Sequence, residues 1–143
     1  MKKILVIGGA CQGKTEWVQS AFPEYKNISV EALLTENREG RQKGFVCLNQ
    51  FHLNMRQWIM QDKSYQEDLN FIISNPSWLI VADEIGNGIV PMDKLERKWR
   101  EETGRALCKI AKEADEVYRI YCGIPEKIKG SDVECFSLCT PVS

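Results

Sequence analysis

What this chain has little of narrows its reading before any motif is considered. It holds one histidine in 143 residues, His52, so a zinc centre built on several imidazoles is out of reach. Its six cysteines (Cys11, Cys47, Cys108, Cys122, Cys135, Cys139) form no C-x-x-C pair. With no secretory leader, the expectation is reduced thiols in a cytoplasmic protein rather than a disulfide framework. Cys135 and Cys139 are the one close pair and make a poor metal site on their own. No apolar run approaches the roughly 20 residues of a membrane span. A net charge of −1, with both signs interspersed, leaves no broad footprint for nucleic acid or a membrane surface. Repeats and low-complexity segments are also lacking. What remains is 43% hydrophobic and 27% charged, ordinary for a soluble globular protein, and the length predicts one domain over residues 1–143. Lys2-Lys3, an apolar run and Gly-Ala-Cys give the start a faint likeness to a lipoprotein signal. The run 4–7 falls short of the roughly 7–15 apolar residues such a signal needs.

The stretch that is present in full is Gly8, Gly9, Ala10, Cys11, Gln12, Gly13, Lys14, Thr15, which spells G-x-x-x-x-G-K-T. Glycines let the backbone turn tightly, so that several N–H groups converge on phosphate oxygens. Lys14 supplies a point charge for the β- and γ-phosphates, and the Thr15 hydroxyl is suited to Mg²⁺. Residues 4–7 read as a buried parallel strand before the loop. Residues 15–22 read as a helix after it, whose N-terminal dipole adds to the anion site. A Mg²⁺-bound nucleoside triphosphate is the ligand this implies.

Further along, Phe22-Pro23 closes the first helix. Residues 27–30 read as a second short strand. Residues 31–44, with Arg38, Arg41 and Lys43, read as a charged loop or loosely helical excursion. A third strand over 45–48 ends at Asn49. Phe51, Met55, Trp58 and Ile59 recur at helical spacing, and His52, one step off that stripe, reads as structural. Ser64-Tyr65-Gln66-Glu67 has the form of a capping box, with Leu69, Phe71 and Ile72 on the buried side and Asn75-Pro76 as the stop. Residues 78–82 are the second clear buried strand, and Asp83-Glu84 follow at its end. In an open α/β sheet ligands bind beyond the carboxyl ends of the strands, so these acids belong beside the phosphate loop if the strands are close. An acidic pair in this place can hold hydrated Mg²⁺ and orient a nucleophile.

Residues 86–91 read as a ligand-contacting loop. Asp93 and Glu96 cap a helix running to about Glu113, with Leu95, Trp99, Leu107, Ile110 and Ala111 inside. Gly104 interrupts it, which suggests close packing or a ligand approach. Residues 115–121 are a last main strand, Gly123-Ile124-Pro125 a turn, and the tail from Cys135 to Ser143 a candidate edge strand. Strands alternating with helices predict a three-layer α/β fold, a P-loop NTPase-like domain with a mainly parallel sheet.

Several of these segments together resemble one family. Glu84-Ile85-Gly86-Asn87-Gly88-Ile89-Val90-Pro91, Gly104-Arg105, Ala114-Asp115-Glu116-Val117 and Gly123-Ile124-Pro125 with Lys129 follow in the order seen in the bifunctional adenosylcobinamide kinase / adenosylcobinamide-phosphate guanylyltransferases of cobalamin biosynthesis. The resemblance covers roughly residues 3–22 and 78–130, and marks the chain as a shortened member. It implies a nucleotide site at residues 8–15 and a cleft lined by Glu84 and the loop of Gly86, Gly88 and Pro91. It implies a small homo-oligomer. It also implies phosphoryl transfer from GTP or ATP to adenosylcobinamide, followed by GMP transfer through a covalent histidine intermediate. Three departures qualify it. Asn49-Gln50-Phe51 stands where the family has an Asp followed by C-L-T. Ala106-Leu107-Cys108 replaces the polar end of G-R-x-N-Q. The segment before the third strand is short and lacks the family's histidine signature.

Three functions follow from this reading. The first is a phosphotransferase with Lys14, Asp83 and Glu84 as catalytic groups, Thr15 and Asp83 on the metal and the guanylyltransferase half lost. The second is a nucleotide-binding regulator without transferase chemistry, and the third a small kinase for another metabolite. The expected partner is a small-molecule substrate, a corrinoid under the first reading, with no nucleic acid and no membrane.

Overall fold

Alternation of apolar strands with amphipathic helices is realised as a layered α/β sheet. The computed structural model describes residues 2–9, 13–38, 44–85 and 93–130. In chain order the elements are β1 (Lys3–Gly8), α1 (Lys14–Ala21), β2 (Lys26–Asn27), α2 (Val30–Arg38), β3 (Val46–Leu48), α3 (Phe51–Met60), α4 (Gln66–Ser74), β4 (Trp78–Asp83), α5 (Lys94–Glu113), β5 (Glu116–Tyr121) and β6 (Ile124–Lys129). Among the described residues six strands form one sheet in the order β2-β3-β4-β1-β5-β6. The first five run parallel and β6 returns antiparallel to β5.

The two faces of the sheet are read directly from strand alternation. Leu5, Val46, Leu48, Trp78, Ile80, Ala82 and Val117 pack with α2, α3, α4 and α5. Ile4, Val6, Cys47, Leu79, Val81 and Ile120 pack with Val18 of α1. Both faces of β1 and β4 are therefore covered, which is why these strands are unbroken apolar runs. The chain leaves β1 toward the β2 edge through α1 and leaves β4 toward β5 through α5. Those opposite departures open a crevice at the carboxyl ends of β1 and β4.

Several boundaries differ from the sequence expectation, each for a local reason. Only Lys26 and Asn27 pair with β3, and from Val30 the chain is helical rather than extended. The Ala32 N–H donates to the Ser29 hydroxyl at 3.1 Å, so Ser29 caps a helix whose Val30, Leu33 and Leu34 are all buried. That i, i+3, i+4 stripe outweighs the strand propensity of Val30. The stretch read as a charged loop or loosely helical excursion is thus helical as far as Arg38, while Gly40, Arg41 and Lys43 lie outside the described residues. At α4 the capping box does not form. Tyr65 is the N-cap and no side chain caps it. Phe71 is exposed, and Ile73 joins Leu69 and Ile72 inside, because 71 lies off the 69–72–73 stripe. At α5, Asp93 does accept the Leu95 N–H at 2.9 Å, whereas Glu96 pairs with Arg56.

The C-terminal hairpin is also a correction. Cys122 and Gly123 alone make the turn, both with positive φ (52° and 75°), the backbone a two-residue hairpin requires. Ile124 and Pro125 then belong to β6, not to the turn. Among the described residues β6 is the edge strand beside β5, and the tail from Cys135 to Ser143, read as a candidate edge strand, lies outside them. Among the described cysteines, Cys47 and Cys108 are free thiols, and burial pushes Cys47 up to about 11.

Gly104 was expected to mark a close approach, yet a Cβ there would meet nothing within 4 Å. It is an exposed helix-interior glycine, which costs roughly 1 kcal/mol relative to alanine. Gly104→Ala is expected to stabilise the protein by about 0.4–1 kcal/mol, read as a higher denaturant midpoint at unchanged slope. A loss of stability would show that this position is constrained after all.

Candidate functional site

The site begins with the pairing of β1 and β4, whose register sets Gly8 beside Asp83. The Glu84 N–H continues the ladder to the Gly8 carbonyl at 2.8 Å. Gly8 has no room for a side chain, since a Cβ would stand 2.6 Å from the Ile120 carbonyl oxygen of β5. At the other end of the loop Gly13 has φ 82° and serves as N-cap of α1 without any side-chain cap. The first N–H groups of α1 thus start from a glycine and face the crevice.

Lys14 is buried, and its Nζ donates to the Gly9 carbonyl at 2.6 Å while lying 2.7 Å from Asp83 Oδ1. Thr15, Asn49 and His52 join Gly13, Lys14 and Asp83 around a cleft of ≈ 550 Å³. Asn49 donates to Asn27 Oδ1 at 3.3 Å, and its own Oδ1 has no hydrogen-bond partner among the described residues.

His52 is where sequence reasoning fell short. It is buried in the wall of the cleft. Its Nδ1 accepts the Asp83 backbone N–H at 3.0 Å, and its Nε2 stands 3.3 Å from Asp83 Oδ2. Burial lowers its pKa below the usual imidazole value, opposed by the Asp83 charge and assisted by Lys14. The available signal was position, just past the carboxyl end of a parallel strand, rather than its place relative to the helix stripe.

Glu84 faces a different partner from Asp83. Arg119 grips it with two contacts, Nε to Oε1 at 2.9 Å and Nη2 to Oε2 at 3.1 Å. This fork was not legible in the sequence, because it depends on β5 lying next to β1, with Arg119 opposite Ile7. Arg100 Nε donates to the Ile85 carbonyl at 2.8 Å, tying α5 to the exit of β4. The structure therefore gathers Gly8, Gly9, Gly13, Lys14, Thr15 and Asp83 at one point and holds Glu84 beside them. Ala10, Cys11, Gln12, Gly86, Gly88 and Pro91 lie outside the described residues.

Among the groups lining the cleft, the Asp83 carboxylate and the Thr15 hydroxyl are oxygen donors, as are the side chains of Glu16, Asn49 and Gln50. Among the described residues no group of three or more His, Cys, Asp or Glu could hold a metal by itself. That set suits a hard cation bound through one or two protein oxygens and the phosphates of a nucleotide, the habit of Mg²⁺. The chemistry on offer is charge neutralisation of a polyphosphate by Lys14 and the α1 N-terminus. No helix among the described residues is long and apolar enough to cross a membrane.

Comparison with known proteins points the same way. The sequence profile of the family described as cobinamide kinase / cobinamide phosphate guanyltransferase matches residues 30–128. The bifunctional adenosylcobalamin biosynthesis protein CobU of Salmonella typhimurium is 43% identical over 51 residues, covering 36% of this chain and 28% of that protein. Its namesake in Escherichia coli K12 is 41% identical over 51 residues, with the same coverage of 36% and 28%.

The Lys14–Asp83 pair is asymmetric, with side-chain exposures of 8% and 24%. Asp83→Asn strands a buried ammonium, whereas Lys14→Met leaves a carboxylate that water and His52 can reach. Asp83→Asn is expected to destabilise the nucleotide-free protein by about 1–3 kcal/mol more than Lys14→Met, measured by urea unfolding. Equal losses would mean that Lys14 relaxes into the cleft when its partner goes.

Proposed function

The chain belongs to the cobinamide kinase / cobinamide phosphate guanyltransferase family, and from that premise we propose that it transfers the γ-phosphoryl group of GTP or ATP to a hydroxyl of a small molecule, a cobinamide-type corrinoid. The observation that carries this reading is Lys14 held against Asp83 across the β1–β4 crevice. Lys14 exchanges Asp83 and the Gly9 carbonyl for the β- and γ-phosphates. Asp83 and the Thr15 hydroxyl are then free to hold Mg²⁺, which supplies further neutralisation of the phosphate charge. Glu84, fixed by Arg119, orients the acceptor. The acceptor oxygen bonds to the γ-phosphorus as the bridging oxygen leaves with the nucleoside diphosphate, and the hydroxyl proton passes to solvent. The loop of Gly86, Gly88 and Pro91 is assigned to the acceptor. The partners proposed are the small-molecule substrate and further copies of this chain, with neither nucleic acid nor membrane.

We assign no guanylyl transfer to it. That chemistry needs an imidazole nitrogen with a free lone pair to attack the α-phosphorus. His52 is the single histidine, and its Nδ1 lone pair is occupied by the Asp83 N–H, which leaves the proton on Nε2. A second reading, a nucleotide-binding regulator, draws support from the neutral Asn49 in the cleft wall. A third, a kinase for another metabolite, differs only in the acceptor.

Calorimetry with Mg²⁺ and GTP or ATP tests the binding step. Lys14→Ala is expected to weaken affinity by about 1.5–3 kcal/mol, roughly tenfold or more, and unchanged affinity would remove the assignment. Phosphoryl transfer to cobinamide separates the readings: tight nucleotide binding without transfer to any hydroxyl acceptor leaves the regulator. Incubation with GTP labelled on its α-phosphate is expected to leave no labelled protein after denaturing electrophoresis. A labelled adduct that vanishes in His52→Ala would restore the bifunctional activity.

A further inference from the structure

We propose that His52 is a positioning residue for Asp83, held as the neutral Nε2–H tautomer so that it orients the carboxylate toward Lys14 and the metal position. The proposal rests on the phosphotransferase reading above and starts from the ends of two strands. In the β3–β4 ladder Leu48 stands opposite Ile80, and β3 stops there, while β4 runs on to Asp83. Beyond that point the Asp83 N–H on the β3 side has no strand to donate to. A buried N–H left without a partner is destabilising, and the imidazole supplies the acceptor.

The backbone delivers it there. Gln50 adopts the left-handed conformation (φ 52°, ψ 45°) at the N-cap of α3, which turns the chain sharply from β3 into the helix. His52 falls on the first turn, next to fully buried Phe51. Its carbonyl accepts the Trp99 indole N–H of α5 at 2.8 Å. The ring is thus held from β4 in front and through its backbone from α5 behind.

One hydrogen bond fixes the chemistry of the other nitrogen. Because an N–H points at Nδ1, that nitrogen must present its lone pair, and the ring proton sits on Nε2. Nε2 is the nitrogen 3.3 Å from Asp83 Oδ2. Asp83 Oδ1 is meanwhile 2.7 Å from Lys14. The carboxylate is therefore contacted at both oxygens, Oδ1 by Lys14 and Oδ2 by the imidazole edge. Partners that orient a ligating carboxylate in this way typically matter 10–100-fold in metal affinity.

Two measurements test this. The chain has one histidine, so a long-range ¹H–¹⁵N spectrum of the nucleotide-free protein shows one imidazole without assignment. The expected result is a pyridine-type Nδ1 and a protonated Nε2; an Nδ1–H ring, or one averaging between tautomers, overturns the proposal. The second measurement is nucleotide affinity as a function of Mg²⁺. His52→Ala should raise the Mg²⁺ needed for half-saturation about tenfold or more. His52→Gln, whose amide carries an acceptor and a donor side by side, should restore most of the Mg²⁺ response. An Ala variant with a normal Mg²⁺ response, or a Gln variant that needs as much Mg²⁺ as the Ala variant, overturns the role. Should Ala fail to fold, the Gln variant and the wild-type spectrum still decide. Wild-type protein that binds no Mg²⁺-nucleotide at all overturns the phosphotransferase reading and the metal role together, a different result from a wrong tautomer with intact binding.

Discussion

Everything at the carboxyl end of the sheet depends on one buried ammonium. Lys14 sits at the first position of α1 with almost no water around it, so its charge has to be met by protein oxygens. Two are supplied, the Gly9 carbonyl and Asp83 Oδ1. The second is in reach only because β4 lies beside β1 in a register that puts Asp83 opposite Gly8. Gly8 in turn must be bare, because β5 presses the Ile120 carbonyl against it. A phosphate loop flanked by strands on both sides thus specifies its own surroundings: a glycine, a lysine and an acid, each required by the next.

The consequence for the proposed chemistry is an exchange rather than a filling of empty space. A polyphosphate that approaches Lys14 competes with a carboxylate already in contact, and that carboxylate gains freedom to meet a cation as it lets go. Asp83 and Glu84 are neighbours in sequence yet are held on opposite sides, one by Lys14 and His52, the other by the Arg119 fork. Alternation along a strand separates two like charges and gives each its own counter-charge. A bidentate Arg–carboxylate contact also fixes direction better than a single point charge does.

The part of this legible in the sequence is the part written in local patterns. The G-x-x-x-x-G-K-T loop, the apolar runs of β1 and β4 and the acid pair after β4 announce themselves, because composition and spacing suffice to identify them. The parallel, layered fold follows from their alternation. The chain's sheet order is not legible, so neither Arg119 nor His52 could be placed: each acts on a residue more than thirty positions away in sequence. Helix α2 was obscured by charges. Its three buried apolar residues, Val30, Leu33 and Leu34, are too few to stand out against the glutamates and arginine around them, although Ser29 before them is a recognisable cap. Gly104 misled in the other direction, since a glycine in a helix suggests a reason, and the surroundings here provide none.

The two borders of the sheet differ in kind from its centre. On one side β2 offers only two residues. On the other, β6 contains Pro125, which has no N–H to present, and its register with β5 slips between Val117 and Tyr118. Lys129 bends away to the last carbonyls of α5, at 3.0 Å from Ala111 O and 3.0 Å from Lys112 O. A strand edge treated this way resists templating by its neighbours. At the high concentrations of a crowded cell, such a sheet is shielded along its described borders from growing outward strand by strand. Copies that associate through these parts of the chain would therefore meet through exposed faces, such as Leu53 and Met60 of α3 or Tyr121 and Ile124 of the β5–β6 hairpin, and not by extending the sheet.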